Sequence, residues 1–137
     1  MSVAWHIDPQ LANDSHPVAA LPLCDLRLMD DENYPWLVLV PRVPGAVELI
    51  DLGEAERPAL MQEIDRSARL LRGLFRPDKL NVAALGNIVA QLHVHVIARF
   101  HDDPAWPAPV WGRVSARPYG PEALADRVRR LRGALGA

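Results

Sequence analysis

The chain holds one cysteine, Cys24, in 137 residues. A lone cysteine excludes an internal disulfide framework, and Cys24 reads as a small buried hydrophobe in a reducing compartment. No run of about 18 apolar residues occurs, so no membrane-spanning helix and no membrane partner are expected. A charged segment followed by an apolar run is missing at the start, which points to the cytoplasm rather than to secretion. A basic surplus is missing too. The formal net charge is −2, which argues against a nucleic-acid partner. There is no glycine-rich phosphate loop of the P-loop kind, and no segment repeats. What remains is 50% hydrophobic and 23% charged, the balance of a globular chain. Residues 1–137 are read as one domain with one core.

The 13 prolines gather around residues 35–44 and 104–121, where they mark turns and ordered connections. Residues 1–20, with an early element around Val3–Ile7, read as a surface arm or a short edge piece. Leu23 to Met29 alternates in the manner of a strand with one buried face. Trp36-Leu37-Val38-Leu39-Val40 is continuous, β-prone and closed by Pro41, as in a central strand buried on both faces. The two strands form a hairpin. Leu60/Met61, Ile64, Ala68, Leu71 and Phe75 recur at helical spacing. That helix starts near Glu54, although Pro58 would then fall inside it, and it ends at Arg76-Pro77. Short strands are predicted over Lys79–Leu85 and Val89–Phe100. An ordered loop follows over 101–121, then a terminal helix over Glu122–Leu135. Strand pairs with helices packed on one antiparallel sheet make an α+β fold.

The densest chemistry lies in Gln91-Leu92-His93-Val94-His95-Val96-Ile97. Strand alternation sends Gln91, His93 and His95 to one face and Leu92, Val94 and Val96 to the other. One histidine on a strand is commonly structural. Two at i, i+2, with an amide at i−2, form a surface suited to proton transfer, nucleophilic attack or metal ligation near neutral pH. An imidazole can attack phosphorus and form a phosphoramidate that water then cleaves. A second imidazole can hold an oxygen or the leaving group.

Gln91 to Arg99, with the upstream Asn81 and Gly86-Asn87, resembles the signature of the histidine triad (HIT) superfamily of nucleotide hydrolases and transferases, His-φ-His-φ-His-φ-φ, where φ is hydrophobic. The resemblance covers about residues 20–100, leaving a loop and helix over 101–137. It implies a HIT-like fold: an antiparallel sheet of about five strands, one long central helix and a C-terminal helix. It also implies a homodimer, and hydrolysis or transfer at the α-phosphate of a nucleotide, such as a dinucleoside polyphosphate or a nucleoside phosphoramidate with a purine base. No metal or other cofactor is implied for that step. By resemblance His93 is the nucleophile, and His95 holds a phosphate oxygen or the leaving group. Gln91 replaces the first histidine in a supporting catalytic role, which glutamine can fill by hydrogen bonding but not by charge. Ile88 stands where many relatives have Ser or Thr, so phosphoramidate cleavage is expected to be altered.

The same resemblance makes Asn81 and Asn87 phosphate ligands, and Asp30, with Asp31 as its competitor, a ribose ligand. A turn carboxylate, a strand-end amide and a left-handed turn residue are the plain readings of the same positions. Leu26, Leu28 and Leu37 could line a base pocket or simply fill the core. Trp106 and Trp111 could cover the site or pin the proline-rich loop. Arg99 reads as a sheet-edge charge, and His6 and His16 read as surface residues. Two competing functions stay open. One is a nucleotide-binding module that has lost turnover through Gln91 and Ile88. The other is a metal site built from His93, His95, His101, Asp102 and Asp103.

Overall fold

The computed structural model describes residues 4–136. Five strands form one antiparallel sheet in the order β1-β2-β3-β5-β4. In chain order the elements are α1 (Pro9–Asp14), β1 (Ser15–Ala20), β2 (Cys24–Met29), β3 (Trp36–Pro41), α2 (Glu56–Phe75), β4 (Lys79–Ala83), β5 (Val94–Arg99) and α3 (Pro121–Leu135), with a short 3-10 turn at Leu49–Asp51 before α2. Among the described residues no helix is long and apolar enough to cross a membrane.

The α+β architecture expected from the sequence is therefore present. Strand β3 lies between β2 and β5, and each of its residues is buried. That is why its sequence is a continuous apolar run and not an alternating one. Its two faces feed two cores. Leu37 and Leu39 join Leu26, Leu28, Val94, Val96 and Ala98 beneath Leu60 and Leu71 of α2 and Leu131 of α3. Trp36, Val38 and Val40 join Leu11, Tyr34 and Ile97 beneath Ala105 and Val110 of the proline-rich loop. That loop packs onto the sheet, as its apolar content predicts. The Cys24 side chain is fully buried.

The main differences from the expectation lie in the N-terminal segment, the start of the long helix and the ends of β4 and β5. Of the predicted early element, Val3 lies outside the described residues, and residues 4–8 have no regular structure. The chain instead makes a helix, α1, and then edge strand β1. The Asp8-Pro9 pair starts α1: the Asp8 carboxylate accepts the Gln10 N–H at 2.8 Å, and Pro9 takes the first position, where its missing N–H costs nothing. The long helix begins at Glu56, not Glu54. Pro58 then sits in the first turn, where no backbone partner is lost. Arg76 stops this helix in the left-handed conformation (φ 50°) ahead of Pro77. The histidine strand is shorter than Val89–Phe100. Its ladder ends at the Leu39–Val94 and Ala83–His95 pairs, and Leu92 N–H donates instead to the Ala46 carbonyl in a loop. Strand β4 likewise stops at Ala83 and does not reach Leu85.

Arg99 is the largest reversal. It is 1% exposed, the opposite of a sheet-edge charge. Its guanidinium donates to both Asp103 carboxylate oxygens (2.8 and 3.1 Å), to Asn81 Oδ1 (2.8 Å) and to the Ala108 carbonyl (2.8 Å). Asp103 in turn accepts the backbone N–H groups of Phe100 and Trp106. A buried charge needs this complete shell of partners. Here the shell fastens the proline-rich loop to the end of β5.

Candidate active site

His93 and His95 flank the first residue of β5 and lie side by side, their ring centroids 4.9 Å apart. Both rings are largely buried, at 7% and 4% exposure, yet both border a cavity of about 370 Å³. The intervening Leu92, Val94 and Val96 point into the core on the helix side, as the alternation predicts.

Hydrogen bonding fixes each tautomer. His93 Nδ1 lies 2.7 Å from the backbone carbonyl of Gln91. A carbonyl only accepts, so Nδ1 carries the proton and Nε2 keeps a lone pair. His95 is the reverse case. The Trp36 indole Nε1–H, which only donates, reaches His95 Nδ1 at 2.9 Å. The proton of neutral His95 is therefore on Nε2. Burial, reinforced by the neighbouring His93, holds the His95 imidazole far below its usual range, at about 3. The pair thus offers one nucleophilic nitrogen and one neutral N–H donor on adjacent rings. Trp111 closes the other side of His95, with centroids 5.0 Å apart.

The cavity has three sides. Gln10, Leu11 and Asp14 of α1 form one side, Met29 and Trp111 another, and the turn Gly86-Asn87-Ile88-Val89 the rim. Gly86 adopts φ 76°, a conformation that glycine takes without strain. The side chain of Ile88 is 95% exposed at that rim. A second cavity of about 460 Å³ shares Asp14, Met29 and Trp111 and adds Asp30, Asp31 and Trp36. A third, of about 270 Å³, meets the first at Leu85, Gly86 and His93 and is lined by Leu49, Ile50 and Leu92. His93 stands where the first and third spaces meet.

The structure brings His93, His95 and Asn87 together and sets Asp30 and Asp31 in the adjoining cavity. Asp30 accepts the Tyr119 N–H at 3.0 Å and lies 3.1 Å from His16 Nε2. Burial pushes its carboxyl up, but the Tyr119 N–H and His16 outweigh that and hold it below the usual carboxylate range. His16 is thus half-buried beside Asp30, not a plain surface residue. Asp31 is buried and accepts the Asn33 and Arg117 N–H groups. Two predicted residues point elsewhere. Asn81 faces the Arg99 guanidinium and does not line the histidine cavity. The Gln91 side chain binds the N-terminal segment, accepting the Asp8 N–H (2.8 Å) and donating to the His6 carbonyl (3.0 Å). Trp106 packs against His101 and Arg99, whereas Trp111 borders the site. Among the described residues no group of three or more His, Cys, Asp or Glu side chains is placed to hold a metal ion. His101 meets Trp106 edge to face, and Asp103 is committed to Arg99.

Sequence reasoning missed the α1 wall and the role of Trp36. The Asp8-Pro9 helix start was a readable signal for the first. Nothing local signals the second, because Trp36 and His95 are 59 positions apart.

A protein-family model described as the HIT domain matches residues 10–102. The chain belongs to the histidine triad (HIT) family. A histidine triad protein from Bradyrhizobium japonicum is 45% identical, with a TM-score of 0.94 over 96% of this chain and 98% of that one. HIT proteins from Marinobacter aquaeolei VT8 (41% identical, TM-score 0.95, 98% of each chain) and Sinorhizobium meliloti 1021 (40%, 0.92, 95% of this chain and 96% of that one) are similarly close. No curated protein matches the sequence.

Proposed function

We propose that this HIT protein is a nucleotide hydrolase or nucleotidyl transferase acting at the α-phosphate, through a covalent nucleotidyl-His93 intermediate. The observation that carries this reading is the opposed tautomers of the adjacent rings: a lone pair on His93 Nε2 and a proton on His95 Nε2.

His93 Nε2 attacks the α-phosphorus, the P–N bond forms, and the bond to the leaving group breaks. His95 Nε2–H donates to a non-bridging oxygen or to the departing atom, at no charging cost because its imidazole stays neutral. Water then cleaves the phosphoramidate and returns the lone pair to His93. Asn87 on the rim supplies an amide to the phosphates. The adjoining cavity, with Asp30 or Asp31 at its polar side and Met29 and Trp111 at its apolar side, suits a ribose and a purine base. Dinucleoside polyphosphates and nucleoside phosphoramidates are the substrate classes. Gln91 and Asn81 take supporting places, since their side chains are bound to backbone and to Arg99 respectively.

Incubation with an adenosine phosphoramidate, acid-free quenching and mass spectrometry test the proposal. An adenylyl adduct on the peptide bearing His93, absent in a folded His93→Ala variant, is the expected result. Saturable nucleotide binding without adduct or product would select a binding module in place of an enzyme.

We also propose a cytoplasmic homodimer. Strand β4 is an open sheet edge with Val82 50% exposed, and just beyond its end exposed Leu85 shares a cavity with exposed Leu49 and Ile50, an apolar surface of the kind that proteins cover. Sedimentation at the mass of a single 15.2 kDa chain would refute the dimer.

A further inference from the structure

Gln91 is the point at which this chain departs from the triad pattern, and its surroundings give the departure a purpose. Its side-chain amide pairs with the backbone of a segment more than 80 positions away: Oε1 accepts the Asp8 N–H at 2.8 Å and Nε2 donates to the His6 carbonyl at 3.0 Å. Its own backbone carbonyl holds His93 Nδ1–H at 2.7 Å. Asp8 is the N-cap of α1, whose Gln10, Leu11 and Asp14 form one wall of the histidine cavity.

Helix α1 has six residues. A helix that short does not persist alone, because nucleation costs more than so few hydrogen bonds return. It needs anchors. Its C-terminal end runs directly into β1, and Leu11 is buried on the second core. Its N-terminal end is tied by Gln91.

We propose that Gln91 is a positioning residue, a latch that fixes the α1 wall of the cavity to the backbone segment carrying the nucleophile. The chemistry explains the residue type. A carboxamide carries a donor and an acceptor side by side and can bind an N–H and a C=O on the same edge of a passing chain. An imidazole has its two nitrogens on diverging edges and cannot make both bonds. Histidine at this position would free the wall. The tautomer of His93 is insensitive to the side chain at 91, because it is set by the backbone carbonyl.

The structural arm of the test is independent of any substrate. Amide hydrogen exchange of Asp8 and Ala12, followed by NMR, is compared in the parent protein, Gln91→Leu, Gln91→His and Gln91→Glu. Loss of the latch in Gln91→Leu and in Gln91→His accelerates exchange at both amides by about tenfold. Gln91→Glu keeps an acceptor for the Asp8 N–H, so exchange of that amide stays within about threefold of the parent. The kinetic arm rests on the nucleotide reading given above. With an adenosine phosphoramidate as substrate, Gln91→Leu and Gln91→His raise KM by about tenfold while kcat stays within about threefold. Unchanged Asp8 and Ala12 exchange in Gln91→Leu overturns the latch. So does a hundredfold fall in kcat at constant KM, which would put the side chain in the chemistry itself. A parent protein inactive on every nucleotide tried would remove the proposed activity, and the exchange measurements would still decide the latch.

Discussion

The depressed basicity of His95 makes folding stability depend on pH in a calculable way. Its imidazole falls from an ordinary value near 6.5 to about 3 in the folded protein, through burial and then through His93. Below the ordinary value the unfolded chain binds a proton that the native site refuses. Stability from this residue is therefore complete above about pH 6.5 and falls by about 1.4 kcal/mol per pH unit as acid is added, down to about pH 3. Between pH 7 and pH 5 the loss is about 2 kcal/mol, a large share of a typical net stability of 5–15 kcal/mol. Geometry adds to the effect. Protonating Nδ1 would aim an N–H at the Trp36 indole N–H that now donates to it at 2.9 Å. Asp30 and Asp103 also titrate below their usual range. Their stabilisation is present above the ordinary carboxylate value and is lost at lower pH, as the folded groups take up protons, so it cancels in a comparison of variants. Urea unfolding followed by tryptophan fluorescence at pH 7, 6 and 5 would make that comparison between the parent and His95→Gln. The parent should lose about 2 kcal/mol more than the variant over the two units. Parallel losses in the two proteins would mean that His95 charges freely in the folded site, and the assignment of a neutral Nε2–H donor would fail.

Two further substitutions probe the same face of the sheet. Trp36→Phe keeps a ring and removes the indole N–H, so kcat should fall about tenfold, the worth of one hydrogen bond, while ¹⁵N spectra show His95 leaving its single Nε2–H form. An unchanged tautomer would refute the role given to Trp36. Arg99→Met leaves Asp103 and Asn81 without their buried partner, at a cost of about 3–5 kcal/mol. The melting temperature should drop, and the amides of residues 103–108 should lose protection first. A loop that stays protected would show that apolar packing alone holds it.

Local patterns were legible in the sequence wherever the structure that enforces them is also local or periodic. The run from Trp36 to Val40 shows that both of its faces are buried, and it is the strand with neighbours on each side. The spacing of Leu60, Ile64, Ala68 and Leu71 marks the helix stripe that meets the sheet. The alternation of Leu92, Val94 and Val96 sends these residues to the core and leaves the two imidazoles together on the far side. Alternation failed at Gln91 for a definite reason. It is a property of a hydrogen-bonded ladder, and the ladder ends at Val94 and His95. His93 follows the rule by one position beyond the last pair. Gln91, further upstream and free of β4, turns its amide toward His6 and Asp8. Arg99 misled in the opposite sense, because charge is read as exposure unless a partner is seen, and its partners Asn81, Asp103 and Ala108 belong to another strand and a loop. The site's identity is thus carried by a seven-residue periodic segment. Its tautomers and its α1 wall rest instead on polar contacts that no pattern of periodicity encodes: the Trp36 indole, the Gln91 backbone carbonyl and the Gln91 amide. Of these, the Trp36 indole and the Gln91 amide are the groups a homologous sequence can change while keeping both histidines: a change at 36 should alter proton placement on His95, and one at 91 substrate affinity, before either alters the fold.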